Sequence, residues 1–209
     1  MSNQTFRATV EALLEGKILC TVSSSTLYQY LCNESSLDDV NQYLVRLGRG
    51  VARTSDHAGF YCVYLDIESR GVRRETITHF ERLATDWEAL LIWLRLTRQV
   101  STNAHPISAG DVIRESELLA SIESSPDQQK DLEDIANRFK TKGRTRGARE
   151  QLSGIIDHLK AEGFLIKMNE MTYMGTARWS MLQEQIEFIR EQDGIEEAKA
   201  SEEEQEALF

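Results

Sequence analysis

The stretch AREQLSGIIDHLKAEGFLIK, residues 148–167, decides the predicted fold because a helix passes into a strand within it. Its apolar residues recur at helical spacing: Ala148, Leu152, Ile155, Ile156 and Leu159. Gly163 ends the helix, and an apolar strand follows at once. A turn at residues 169–170 and a second strand with Tyr173 and Trp179 complete a predicted β-hairpin.

The same order of elements occurs twice along the chain. Ahead of the stretch above, residues 127–139 predict a helix with Leu132, Ile135 and Phe139 on one face. In the first half, three short segments have helical spacing of apolar residues, at 9–16, 23–32 and 37–47. The stretch VARTSDHAGFYCVYL, residues 51–65, then predicts two strands around SDHAG. Each half is therefore predicted to be a group of short helices closed by a hairpin.

A long helix is predicted between the two halves, over residues 73–98. Its apolar stripe recurs every three or four positions and consists of Ile77, Phe80, Ala84, Trp87, Leu91 and Leu94, with Leu83 and Leu90 beside it. This spacing predicts a heavily buried helix. Residues 107–126 follow as a segment with packing positions at Ile113, Leu118, Leu119 and Ile122, and they open the second unit.

Three helices and a hairpin describe a winged helix, a variant of the helix-turn-helix whose third helix can enter the major groove of DNA. We predict an α+β fold, mostly α, with tandem winged-helix domains and a disordered acidic tail. The first domain covers residues 1–72, and residues 73–190 hold the long helix and the second domain. Residues 191–209 form the tail, with eight acidic residues and one lysine, a net charge of minus 7.

Composition indicates a cytoplasmic globular protein. The chain is 41% hydrophobic and 28% charged, and its longest apolar run, ALLIWL at 89–94, is far shorter than the roughly 20 residues of a membrane helix. The N-terminal residues lack the pattern of a secretory signal. Cys20, Cys32 and Cys62 are odd in number and lie among apolar residues, which predicts reduced thiols in a core.

The candidate binding residues form a basic stretch in an acidic chain. RFKTKGRTRGAR, residues 138–149, has six cations and no anion, although the chain carries a net charge of minus 10. The stretch precedes the predicted third helix of the second unit, where free N–H groups and cations favour phosphate. The alternative is a solvated loop whose charges pair with Asp131, Glu133, Asp134 or Glu150. A smaller group, Arg46, Arg49 and Arg53, lies at the first wing, and ordinary surface charge explains it equally well.

No catalytic pattern stands out. The four histidines show no HxH or HExxH spacing, there is no CxxC, and phosphate-binding glycine loops and the GxSxG elbow are missing. We therefore expect neither an enzyme nor a cofactor nor a metal site. Asp38 and Asp39 lie where helix capping already explains an acidic pair.

These residues resemble a known family, the accessory subunits of bacterial condensins of the MukE and MksE type, also found as the second component of Wadjet plasmid-defence systems. The resemblance lies in LLEGKILC, AGFYCVYLD, ITHFERLATDWEALLIWL, ISAGDVIRESELLASI and AREQLSGIIDHLKAEGFLIKM, ahead of an acidic tail. It implies two winged-helix domains, a homodimer, a kleisin partner that bridges the heads of an SMC ATPase, and a non-catalytic role in chromosome condensation and segregation or in plasmid defence. It further implies that the apolar helices of the first unit and the 73–98 region contact the kleisin or the second copy.

The resemblance also implies a nucleoid-associated protein that binds DNA weakly and without sequence preference. Under it, the phosphate contacts come from Lys140, Lys142, Arg144, Arg146 and Arg149, with Arg46, Arg49 and Arg53 as the thinner group. A different hypothesis is a winged-helix transcriptional regulator, which needs specific binding at roughly 10⁻⁸ M or tighter. The tail is predicted to be a solubilising extension, with competition for the basic surface as the alternative.

Overall fold

The computed structural model describes residues 2–66, 70–100 and 105–190, leaving aside the side chains of residues 2, 70, 75–76 and 79–84. The described chain is mostly helical, with two small antiparallel sheets, which confirms the predicted α+β class. The predicted acidic tail, 191–209, lies outside the described residues. Within the described ranges, no helix is long and apolar enough to span a membrane.

The first unit contains three helices and a three-stranded sheet. In chain order its elements are α1 (Ser2–Leu14), β1 (Leu19–Cys20), α2 (Thr21–Leu31), α3 (Glu34–Val45), β2 (Arg49–Arg53) and β3 (Gly59–Tyr64). The sheet order is β1-β3-β2, with β3 antiparallel to both neighbours. Asn33 begins α3 by accepting a hydrogen bond from the Ser36 amide at 3.1 Å. The three predicted helices and the hairpin are confirmed, and the two-residue strand β1 is an addition.

The second unit repeats this layout with two additional helices, one before its hairpin and one after it. Its elements are α4 (Arg70–Val100), β4 (Val112–Arg114), α5 (Glu115–Ser124), α6 (Pro126–Arg138), α7 (Ala148–Ala161), β5 (Leu165–Asn169) and β6 (Thr172–Gly175). A last helix, α8, covers 178–190. The sheet order is β4-β6-β5, the same pattern as in the first unit. The core of this unit joins Trp93, Ile135, Ile155 and Trp179.

Two predictions about burial and secondary structure were wrong. Trp179 lies in α8, because β6 ends at Gly175 and the chain turns into a helix there. Cys32 is exposed because it follows α2 at its C-terminal cap, although Cys20 is buried and all three thiols are free. Helix α5 ends at Ser124, and Pro126 begins α6, where it occupies the first helical turn and needs no amide partner.

The predicted face of α4 was also wrong in part, although Leu90 is buried as expected. The helix buries Ala89, Leu90, Trp93 and Leu96 against the second unit, mainly against α6. By contrast, Ile77 is 50% exposed and Leu91 is 40% exposed. Trp87 and Leu94 pack at the edge of the core, and the side chains of Phe80 and Ala84 lie outside the described part. The core therefore contacts a face that is turned away from the predicted stripe.

The two units touch through the first hairpin and the start of α8. Ile18, Cys20 and Ala177 form a small apolar cluster, and Tyr61 and Met181 pack against it. Polar contacts extend this interface: the Ser55 amide donates a hydrogen bond to Glu184, and Asp56 accepts one from Ser180. Gly59 belongs to the same contact, because an added Cβ would lie 2.7 Å from the Cβ of Ala177.

Candidate nucleic-acid interface

Four of the predicted cations lie in the loop between α6 and α7, and the fifth, Arg149, lies in the first turn of α7; we call residues 140–149 together the basic loop. Its backbone is held close to α6 and α7. Thr141 is buried, and its amide donates to the Ala136 carbonyl at 3.1 Å. The Gln151 side chain donates to the Arg144 carbonyl at 2.9 Å. These bonds fix the loop so that its charged side chains project outward.

Two glycines allow this close packing. A Cβ at Gly154 on α7 would lie 2.7 Å from the Lys142 carbonyl oxygen, so only glycine lets the loop lie against the helix. Gly143 has a φ of +88°, in the left-handed region that favours glycine. Lys140 also has a positive φ, of +52°, directly after the end of α6. The conformation of the loop therefore depends on glycine at two positions and on positive φ angles, as well as on the side-chain contacts.

The cations of the basic loop are exposed, and they have no acidic partner in the part of the chain that the structure describes. Among the described residues, no carboxylate lies within ion-pair distance of any of the five: Lys140, Lys142, Arg144, Arg146 and Arg149. Arg138 differs, since it pairs with Asp134 at 3.2 Å and with Glu88. Asp131 is held by Arg95 at 2.7 Å. Two of the four acids considered as partners of the loop are thus bound elsewhere, whereas Glu150 lies beside Gly143 of the loop.

The basic loop and α7 enclose an open cleft of about 720 Å³. Lys140, Lys142 and Arg146 line it on the loop side, and Glu150 and Asp157 line it on the helix side. The N-terminus of α7 at Gly147 has no side-chain cap, so its positive end is not neutralised by a capping oxygen. An anion can therefore approach the loop and the helix end, while the outer face of α7 also carries acids.

At the base of the cleft, His158 connects α7 to α4. Its ring stacks on Phe139 with 4.0 Å between centroids, and its Nε2 lies 3.6 Å from Asp86. Burial raises the pKa of Asp86, the His158 charge opposes this shift, and Glu162 adds to it. Among the described residues, no group of three histidine, cysteine or acidic side chains could hold a metal ion.

Comparison with known protein families gives a match over most of the chain. The family model described as "Condensin complex protein MksE" matches residues 4–187, which is most of the chain. The chain belongs to the MksE family. The family resemblance seen in the sequence is thereby confirmed. A search of curated proteins gives no match. As an MksE-family protein, the chain is a condensin-associated subunit and a partner within an SMC-type complex.

The second predicted group of cations in this MksE-family chain is arranged differently. Arg49 lies over the Tyr64 ring, 3.4 Å from its centroid. Arg53 lies 4.9 Å from the Phe60 centroid and donates to the Tyr28 hydroxyl at 3.0 Å. Arg46 is exposed at the end of α3. This group follows the third helix of its unit, whereas the basic loop precedes the corresponding helix α7, so the two groups are not equivalent.

The sequence reasoning missed three features of this MksE-family chain near the candidate surface. Helix α8 was signalled by Trp179, Leu182 and Ile186, which have helical spacing. The contact of α8 with the first hairpin had no local signal. Arg178 was also missed; it lies 5.3 Å from the Phe164 ring, and burial lowers its pKa while Glu162 opposes that shift.

Proposed function

We propose that this MksE-family chain is a non-catalytic accessory subunit that binds a kleisin as a homodimer and adds DNA-backbone contacts to the complex. The single observation that carries the DNA contact is the basic loop, with five exposed cations that have no acidic partner among the described residues. Cations of this kind attract phosphate without reading bases. A weak patch suits a complex in which other subunits supply most of the affinity.

We infer that both units are winged helices. The support is the order of elements and of strands: in each unit a helix and a short strand come first, further helices follow, and a hairpin closes the sheet. The short strand pairs with the last strand in both sheets, as the orders β1-β3-β2 and β4-β6-β5 require. In this arrangement α7 is the last helix before the hairpin, as α3 is in the first unit, and the basic loop leads into its N-terminus. The division at residues 72 and 73 stays a prediction.

Phosphate contact by the basic loop is better supported than base recognition by α7. Gln151 is the only amide side chain of this helix; it is 8% exposed and bonded to the Arg144 carbonyl. It is therefore not free to pair with a base edge. The outward Glu150 and Asp157 oppose close approach of phosphates along the helix. These features favour the accessory subunit over the transcriptional regulator.

Exposed apolar side chains support the protein partners. On the first unit, Tyr43, Val45 and Leu47 are exposed around the end of α3, and the Leu65 side chain lies beside Gly50. On α4, Ile77 and Leu91 are exposed. Apolar groups of this kind on a surface are typical of protein interaction sites. We propose them as positions for the kleisin and the second copy, in a nucleoid-associated complex that serves chromosome organisation or plasmid defence.

The test is charge reversal of the basic loop in the assembled complex. The variant K142E/R144E/R146E should assemble normally and bind random-sequence DNA more weakly. The slope of log affinity against log salt should fall by about 2 to 3, because each lost phosphate contact removes about 0.9. The control K17E/K130E/R190E makes the same charge change at exposed positions outside the loop. Equal DNA binding by the two variants would contradict the proposal.

A further inference from the structure

The basic loop is an exposed cationic surface without a neutralising partner in the described residues, and the same chain contains a matching anionic segment. Residues 191–209, which we call the acidic segment, have eight acidic residues and one lysine. Four of these acids lie close together, at Glu202, Glu203, Glu204 and Glu206. The two sequences have opposite charges at similar density. This complementarity raises the question of whether they meet.

Chain length allows the acidic segment to reach the basic loop. Helix α8 begins beside the end of α7, because the Arg178 side chain lies 3.8 Å from the Cβ position of Gly163. Even if α7 and α8 were collinear, their lengths of about 20 Å each and the residues that join them would place residue 190 at most about 50 Å from the loop. The residues between 190 and Glu206 span up to about 55 Å when extended. The Glu202–Glu206 group can therefore arrive at the loop without any rearrangement of the described helices.

The cleft beside the basic loop can accept carboxylates. It is open, and Lys140, Lys142 and Arg146 line one side. Each exposed ion pair contributes little on its own, but several pairs within one chain act together at a high effective concentration. Such a contact is weakened by salt, and DNA can displace it because DNA has a much denser line of negative charge.

We propose that the acidic segment occupies the basic loop of its own chain in the free protein and that DNA phosphates displace it. The effect on DNA binding rests on the proposed function, whereas the contact itself does not. The acidic segment then lowers the DNA affinity of the unassembled subunit. The basic loop becomes available where DNA is already concentrated by the other subunits of the complex.

The first experiment tests the contact without DNA. The full chain is treated with a carbodiimide, which joins a carboxylate to a nearby lysine amine through an amide bond with loss of water, and the linked peptides are identified by mass spectrometry. We expect links from Glu202–Glu206 to Lys140 and Lys142. Exposed Lys17, Lys130 and Lys167 serve as internal controls. Links spread evenly over all these lysines would overturn the proposal.

A mixture of light and isotope-labelled chains separates contact within one copy from contact between copies. We expect the links to join light with light and heavy with heavy residues. Links that mainly combine a light and a heavy peptide would also overturn the proposal, because the acidic segment would then occupy a neighbouring copy.

The second experiment measures the effect on DNA binding with the full chain carrying E202Q/E203Q/E204Q/E206Q. Its affinity for a labelled random duplex at low salt should rise about fivefold or more, since several ion pairs no longer compete. The control E34Q/D38N/D39N/E123Q makes the same change in net charge at exposed acids. An equal rise with the control would overturn the proposal, because net charge alone would then explain it.

A combined variant carries K142E/R144E/R146E together with E202Q/E203Q/E204Q/E206Q. It distinguishes a failure of this proposal from a failure of the proposed function. If the basic loop binds both DNA and the acidic segment, the gain in affinity should vanish. Specific links to Lys140 and Lys142 combined with DNA binding that ignores the loop would remove the DNA role and leave the contact intact. DNA binding that depends on the loop, without links to Lys140 and Lys142, would keep the DNA role and overturn the contact with the acidic segment.

Discussion

At Gly154, a single missing side chain determines how the basic loop sits on α7. An added Cβ would lie 2.7 Å from the Lys142 carbonyl oxygen and 3.0 Å from the Thr141 Cβ. The first neighbour is backbone, so the clash cannot be relieved by rotating a side chain. The glycine costs helix stability, about 1 kcal/mol relative to alanine, and the close packing of the loop offsets that cost.

We predict that Gly154→Ala lowers the free energy of unfolding. Overpacking of about 1–3 kcal/mol exceeds the gain in helix propensity, so the melting temperature should fall. Gly71→Ala is the control, because Gly71 lies in α4 with nothing within 4 Å of its Cβ position. That variant should be neutral or more stable. Thermal unfolding of both variants checks the prediction, and a more stable Gly154→Ala would contradict the described loop position.

The sequence alone predicted which cations lie together. It did not predict which of them form ion pairs with acidic residues. Arg138 and Lys140 are neighbours in the same basic stretch, yet only Arg138 faces Asp134 and Glu88. Glu88 is 50 positions away in sequence, so no local pattern indicates this pair. The same reason applies to Arg53, whose contact with Tyr28 depends on how the hairpin packs on α2. DNA contact by these residues stays a prediction.

At the scale of the elements, α4 shows how an apolar stripe can indicate a helix and still misplace its core face. The existence of the helix was predicted correctly, and its observed bounds exceed the predicted ones by two or three residues. The stripe through Leu91 is periodic because apolar residues occur on several sides of this helix. Trp93 and Leu96 became the core face because α6 packs there, and the position of α6 depends on the whole unit.

We predict that Trp93→Ala lowers the free energy of unfolding by about 3–5 kcal/mol, since the side chain is completely buried. Leu91→Ala should cost less than half as much, because Leu91 is 40% exposed. Chemical denaturation of the two variants checks the order. A larger loss for Leu91→Ala would show that the stripe predicted from sequence, and not the described face, contacts the core.

Helix α8 gives the same lesson from a shorter segment. The sequence GTARWSML has a strand-like start after a hairpin and a helical pattern after it, so Trp179 could be assigned to either element. Tertiary packing places Trp179 in the helix. Its side chain is fully buried, and the centroid of its ring lies 4.5 Å from that of Phe164. The hairpins were predictable from their turn residues, and the helices from the spacing of their apolar residues, because both signals are local. A short strand such as β1 was not predictable, because two residues are too few to show an alternating pattern.

At the scale of the whole molecule, the contact between the units joins the first hairpin to α8. Asp56 takes part through hydrogen bonds with the Ala58 amide at 2.9 Å and with the Ser180 and Thr54 hydroxyl groups. Burial raises the pKa of Asp56, but these hydrogen bonds outweigh that effect and hold the pKa below its ordinary value of 3.8. The ionised carboxylate therefore stabilises the folded state at neutral pH.

The lowered pKa of Asp56 predicts how the stability of Asp56→Asn depends on pH. The stability that the carboxylate adds is fully present above a pH of about 4 and is lost as the pH falls through the lowered pKa. The difference in unfolding free energy between the parent and Asp56→Asn should therefore be positive at pH 7 and shrink below pH 4. Urea unfolding across this range checks it, with Glu123→Gln as an exposed control. A difference that stays constant with pH would count against these hydrogen bonds.

The central claim is that this MksE-family chain acts through a kleisin and not as a free DNA-binding protein. The most direct measurement is light scattering of the purified chain, alone and mixed with the kleisin of its condensin, followed by a gel shift on random DNA. We predict a homodimer that joins the kleisin and hardly shifts DNA alone. A chain that ignores the kleisin and binds one DNA sequence tightly would contradict the account and favour a transcriptional regulator.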